Sequence, residues 1–171
     1  MASDVQPCQS TGGSPENISV AGHREHVLIM KPRRSKSARR PAAPCPLVLI
    51  VEDSRDLREL YSMYFVSQGF AVETASDGQS ALARALEQRP DLIVTDLSMP
   101  HLGGWEMTRR LKHEPRTADI PVIACTGHPF ASPESALDAG CDAYVLKPCL
   151  PQDLVQEARR LLARSAQRRS A

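Results

Sequence analysis

Between residues 46 and 163 short apolar runs alternate five times with stretches of helical period, and this rhythm constrains the fold more than any other feature of the chain. "PLVLIV" (46–51) is an unbroken apolar run. In "DSRDLRELYSMYFVSQG", which follows, Leu57, Leu60, Tyr61, Tyr64 and Phe65 recur at helical spacing. "FAVETA" (70–75) reads as a second strand, and "DGQSALARALEQRP" sets Ala81, Leu82, Ala85 and Leu86 on one helical face that must end by Pro90. The strand "DLIVTD" (91–96), a helix near 104–113, the strand "IPVIACT" (120–126), a short helix near 133–139, the strand "AYVLK" (143–147) and an amphipathic helix from about Pro151 to Ala163 complete the series.

Five strand–helix units in succession predict an α/β fold, a doubly wound five-stranded parallel sheet with helices on both faces. Parallel neighbours need crossover connections, and those crossovers are right-handed. The strands are continuously apolar rather than alternating, as a sheet covered on both faces requires.

Charge is unevenly distributed along the 171 residues. Residues 1–46 carry seven basic against three acidic side chains (+4), residues 47–163 eleven against seventeen (−6), and Arg164, Arg168 and Arg169 end the chain in a basic stretch. An acidic folded region argues against nucleic acid as its ligand and leaves that role open only to the basic arm, with its "KPRRSKSARRPAAPCP" cluster. The arm shows no period of 2 or 3.6 and too few apolar residues to offset its ordering entropy. The expected organisation is a disordered arm over 1–45, one folded domain over 46–164 and a basic tail over 165–171. A stretch such as "HVLIM" is too short for a signal peptide or a membrane span, so a cytoplasmic protein without a membrane span is expected. Cys8, Cys45, Cys125, Cys141 and Cys149 lack zinc-ligand spacing or a C-x-x-C pair, and are expected to be reduced thiols, some of them core residues.

In a parallel sheet of this type, reactive groups gather beyond the carboxyl ends of the strands. There the chain carries Glu52 and Asp53 after the first strand, Asp96 after the third, Thr126 at the end of the fourth and Lys147 before Pro148 after the fifth. Carboxylates held close together repel one another unless a cation neutralises them. Hard oxygen ligands of this kind suit Mg²⁺. Asp96 then becomes a carboxylate able to take a phosphoryl group as an acyl phosphate, with Mg²⁺ and Lys147 stabilising charge on the transferring oxygens.

"VEDS" (51–54), "TDLSMP" (95–100) followed by "GGWE", "ACTG" (124–127) and "YVLKP" (144–148) resemble, in order and spacing, the receiver domain of two-component response regulators, over about residues 46–164. The resemblance implies a flavodoxin-like strand order 2-1-3-4-5, Asp96 as phosphoacceptor, and Glu52, Asp53, Asp96 and the Ser98 backbone carbonyl around Mg²⁺. It further implies Thr126 as the switch hydroxyl, Tyr144 as the aromatic that follows it, Lys147 as the phosphate contact, and a cis Lys147–Pro148 bond. The expected partners are a sensor histidine kinase or a histidine phosphotransfer protein, with a homodimer through helix 4, strand 5 and helix 5 as a further possibility. Such a stand-alone receiver would catalyse only its own phosphorylation and dephosphorylation. Ser98 and His128 stand where the family's hydrolytic water passes, and are expected to tune the lifetime of the phosphorylated state.

Taken singly, each residue has an ordinary explanation. Asp53 could cap a helix, Asp96 could belong to a turn, Lys147 could be a surface cation, Thr126 a plain strand residue and Tyr144 packing. Trp105 and Glu106 read as packing and solvated helix surface. The alternatives for the whole chain are a pseudo-receiver interaction module and a phosphohydrolase using an aspartyl-phosphate intermediate. The intact acidic set counts against the first, and Ser98, where such a hydrolase carries an acid, counts against the second.

Overall fold

The structure is a computed structural model, in which residues 45–127 and 133–170 are described. The elements run β1 (Leu47–Val51), α1 (Arg55–Ser67), β2 (Ala71–Ala75), α2 (Gly78–Gln88), β3 (Leu92–Thr95), α3 (Gly104–His113), β4 (Val122–Thr126), α4 (Pro133–Asp138), β5 (Ala143–Leu146) and α5 (Pro151–Ser170). All strand pairings are parallel and the sheet order is β2-β1-β3-β4-β5, as expected. Residues 1–44 and His128 lie outside the described residues, so the arm and the His128 expectation find no structural counterpart.

Alternate strand residues feed two separate cores, which is why the strands read as unbroken apolar runs. Leu49, Val51, Ile93, Val122 and Ala124 meet Ala81 and Ala85 of α2, Met107 and Leu111 of α3 and Ala136 of α4. On the other face Val48, Ile50, Leu92, Val94, Ile123 and Cys125 meet Tyr61 and Phe65 of α1 and Leu154, Val155, Ala158 and Leu161 of α5. Phe65, Leu49 and Ile50 are essentially inaccessible, and each contributes about 1.5–3 kcal/mol relative to exposure.

Local signals start and stop the helices. Ser54 caps α1 by accepting from the Leu57 amide, and Asp77 caps α2 by accepting from the Ser80 amide at 2.8 Å. The hydrogen bond to Ser80 holds the Asp77 carboxyl below its ordinary value. Gly69, at φ 87°, makes the turn from α1 into β2 in a conformation that costs other residues dearly.

Asp91 precedes β3 instead of joining it, and Asp142, as expected, precedes β5. Each accepts from the first amide of a neighbouring strand: Leu47 N to Asp91 Oδ2 at 2.9 Å, Val122 N to Asp142 Oδ2 at 2.9 Å. Helix α5 continues to Ser170, past Leu162, its last residue in the apolar core, because "RSAQRR" suits a helix without any apolar face to announce it. Among the described residues, no helix is long and apolar enough to cross a membrane.

Candidate functional site

The parallel register brings the ends of β1, β3, β4 and β5 to one rim. Asp96 follows β3, and its amide donates to the Val51 carbonyl at 2.9 Å, extending the ladder to the acid itself. The Glu52 amide does the same toward Ala75 at 3.1 Å. Both acids are therefore fixed by sheet geometry rather than by loop conformation, and both side chains are buried. Asp53, one residue further, is exposed.

Lys147, directly after β5, reaches back across the rim. Its Nζ lies 2.6 Å from Glu52 Oε2 and 2.6 Å from Asp96 Oδ2. Asp96 Oδ1 accepts from the Ser98 amide at 2.8 Å, so both oxygens of the acid are oriented. Burial pushes the Glu52 carboxyl above its ordinary value, more than the neighbouring ammonium pulls it down. For Lys147 burial works against the charge, but the bonds to Asp96 and Glu52 outweigh it and the ammonium is held above its ordinary value.

Thr126 ends β4, fully buried, and its carbonyl accepts from the Lys147 amide at 3.0 Å. The Lys147–Pro148 peptide is cis, as the resemblance implies. Tyr144 lies on β5, half-buried, and packs against the core beneath α2, α3 and α4. Ser98 is exposed beside Asp96, and its amide is the part of it that touches the acid. Trp105 packs against the same core as Tyr144, and Glu106 pairs with Arg110 on the helix surface.

Two supports of the site escape a motif reading. Arg58, one turn into α1, donates from Nη1 to the carbonyls of Glu52 at 2.6 Å and Asp53 at 3.2 Å, tying down the loop that carries both acids. Its only sequence signal is a basic residue in an acidic first turn, which reads equally well as solvated surface. Gly104 opens α3 so close to β3 that a Cβ there would stand 2.0 Å from the Asp96 carbonyl oxygen. The second glycine of "GGWE" meets that demand for a residue without a side chain.

One carboxylate oxygen from each of Glu52, Asp53 and Asp96 lies within 4.8 Å of the other two. Three carboxylates face one ammonium in this cleft, and the donor set is entirely hard oxygen. Both charge and ligand type fit a divalent ion such as Mg²⁺.

The family described as the response regulator receiver domain matches residues 48–159. A gliding motility regulatory protein of Myxococcus xanthus is 40% identical over 145 residues, which are 82% of this chain and 18% of that protein. The DNA-binding dual master transcriptional regulator RpaA of Synechocystis is 34% identical over 121 residues, 70% of this chain and 50% of that one. The chain thus spans half or less of the length of these curated relatives. Among solved structures, the chemotaxis response regulator CheY4 of Vibrio cholerae is 31% identical with a TM-score of 0.63, over 68% of this chain and 98% of that one. The receiver domain of sensor histidine kinase PA1611 from Pseudomonas aeruginosa, solved with magnesium in its active site cleft, is 28% identical with a TM-score of 0.64, over 70% of this chain and 98% of that one. With five parallel strands in the order β2-β1-β3-β4-β5, an acidic cleft and a bridging lysine, the chain belongs to the response regulator receiver domain family of two-component systems.

Proposed function

We propose that this chain is a phosphoacceptor, taking a phosphoryl group onto Asp96 from the phosphohistidine of a sensor histidine kinase or a histidine phosphotransfer protein. The observation that carries the reading is the double bridge from Lys147 to Asp96 and Glu52, which joins acceptor, acidic pair and cation in one buried cluster. A carboxylate oxygen of Asp96 attacks phosphorus, the phosphorus–nitrogen bond of the donor breaks, and the imidazole departs as a neutral ring after gaining a proton. The Ser98 amide holds the carboxylate in one orientation throughout. Lys147 follows the charge as it spreads over the phosphoryl oxygens. Glu52, Asp53, Asp96 and the Ser98 carbonyl would hold Mg²⁺, which when bound supplies positive charge to those same oxygens.

The buried Thr126 hydroxyl then donates to the phosphoryl group, and Tyr144 follows from the next strand. The two-state shift reaches the surface of α4, β5 and α5, where Leu137, Leu146 and Leu150 are exposed large apolar residues suited to a protein partner or a second copy. The chain acts as a signalling module whose chemistry is confined to its own acid. Ser98 offers no acid two residues after Asp96, which favours this reading over a turnover phosphohydrolase.

Incubation with Mg²⁺ and a small acyl-phosphate donor, followed by intact mass, tests the reading. The wild type is expected to gain one phosphate and Asp96→Asn none. An equal gain in both proteins rejects Asp96 as the acceptor.

A further inference from the structure

Directly behind the site, on the face covered by α1 and α5, two sulfur atoms face each other. Cys125 Sγ and Cys149 Sγ are 3.4 Å apart, from residues 24 positions distant in the chain. Cys125 is buried next to Thr126, and Cys149 is half-buried two residues beyond Lys147. The Tyr61 hydroxyl shares a hydrogen bond with the Cys149 sulfur at 3.7 Å. We propose that Cys125 and Cys149 are a modification site, an oxidisable thiol pair whose disulfide ties the Lys147 loop to β4 and slows phosphoryl uptake.

A disulfide needs sulfur atoms about 2.05 Å apart, so the pair must close by roughly 1.4 Å, a movement within reach of a loop residue such as Cys149. The other cysteines of the described region do not share this geometry. Cys45 donates to the Gly69 carbonyl, and Cys141 lies in the core on the opposite face of the sheet. With a hydroperoxide as oxidant, the more accessible Cys149 sulfur attacks the peroxide oxygen. The oxygen–oxygen bond breaks, leaving a sulfenic acid and an alcohol, or water from hydrogen peroxide. Cys125 sulfur then attacks the Cys149 sulfur, the sulfur–oxygen bond breaks, and hydroxide leaves as water with the Cys125 proton. Burial pushes the Cys125 thiol up, consistent with its acting second. A thiol reductant reverses the bond.

The regulatory half rests on the phosphoacceptor reading. Lys147 is already joined to Thr126 through its amide, and a second tie at Cys125 removes the freedom that separates the two states of the switch. The test treats the full chain with hydrogen peroxide, maps disulfides by non-reducing peptide mass, and then measures loading from an acyl-phosphate donor. Expected are a Cys125–Cys149 bridge, loading slowed at least about fivefold, recovery with reductant, and neither bridge nor slowing in Cys149→Ser. Cys141→Ser is expected to behave as wild type. Over-oxidation of Cys149 without a bridge overturns the proposal, and a bridge without slowing overturns its regulatory half. A reduced protein that never loads counts against the phosphoacceptor reading alone, because the bridge is read by mass independently.

Discussion

Lys147 Nζ stands 2.6 Å from Asp96 Oδ2 although 51 residues separate the two in sequence, and the same nitrogen stands 2.6 Å from Glu52 Oε2. Three segments of chain thus converge on one ammonium. The side chains are 15%, 11% and 4% exposed for Lys147, Asp96 and Glu52, so water does little of the neutralising. The cluster balances attraction against desolvation, and removing the cation strands two buried anions.

Lys147→Met should therefore cost about 3 kcal/mol at neutral pH. The loss has a definite pH dependence. Glu52 already holds its proton above the ordinary 4.5, because of burial first, and Lys147 is what restrains the shift. With the folded pKa raised further, the folded state binds more protons than the unfolded one, and stability falls as pH rises between the two values. Urea denaturation at rising pH above the ordinary carboxylate value should show the variant losing stability more steeply than wild type. A pH-independent difference would contradict this.

Asp53→Asn should leave stability nearly unchanged, since Asp53 is exposed and outside the lysine bridge. Magnesium affinity, measured by calorimetry, should fall by at least the ~10-fold that even a supporting residue is worth. Equal affinities in the two proteins would remove Asp53 from the metal site.

Much of this was legible in the sequence for an identifiable reason. Runs such as "LIVT", short, β-branched and set between helical stretches, read as strands buried on both faces, and the acids and lysine stand just past those runs, so the common rim follows from parallel alternation. What stayed hidden depends on register and on distances through space. Asp91 looks like the first residue of a strand, but it caps the strand beside it, and Asp142 caps its neighbour in the same way. Arg58 acts through main-chain carbonyls, which have no sequence signature. Cys125 and Cys149, 24 residues apart, show no motif spacing at all. The final turns of α5 carry no apolar period, so no hydrophobic pattern marks the helix beyond Ala163.

Gly104→Ala should be costly where Gly127→Ala is not. At Gly104 the added carbon meets the Asp96 carbonyl oxygen at 2.0 Å and the Leu97 Cα at 2.8 Å, both backbone atoms that cannot swing aside. At Gly127 the closest contact is Lys147 Cβ at an ordinary 3.6 Å. Denaturation should register a loss of about 1–3 kcal/mol or more for the first and within about 0.5 kcal/mol for the second. Because the atoms displaced at Gly104 belong to Asp96, phosphoryl uptake should slow as well.

We propose that Ser98 and His128 set the lifetime of the phosphorylated state. Introducing the amide and carboxylate pair, Ser98→Asn with His128→Glu, should speed loss of the phosphoryl group by about tenfold, the effect of roughly 1.4 kcal/mol in the barrier. Decay followed by intact mass after removing the donor measures this directly. An unchanged rate would exclude both positions from control of hydrolysis.

Asp96 as the phosphoacceptor is tested most directly by trapping the acyl phosphate itself. After loading with Mg²⁺ and an acyl-phosphate donor, borohydride reduces the mixed anhydride of an aspartyl phosphate to the alcohol, and peptide mass locates the altered side chain. Homoserine is expected at position 96, dependent on both donor and Mg²⁺. Reduction at Asp53 or Glu52 instead, or phosphate retained on a serine, threonine or histidine with Asp96 untouched, would contradict it.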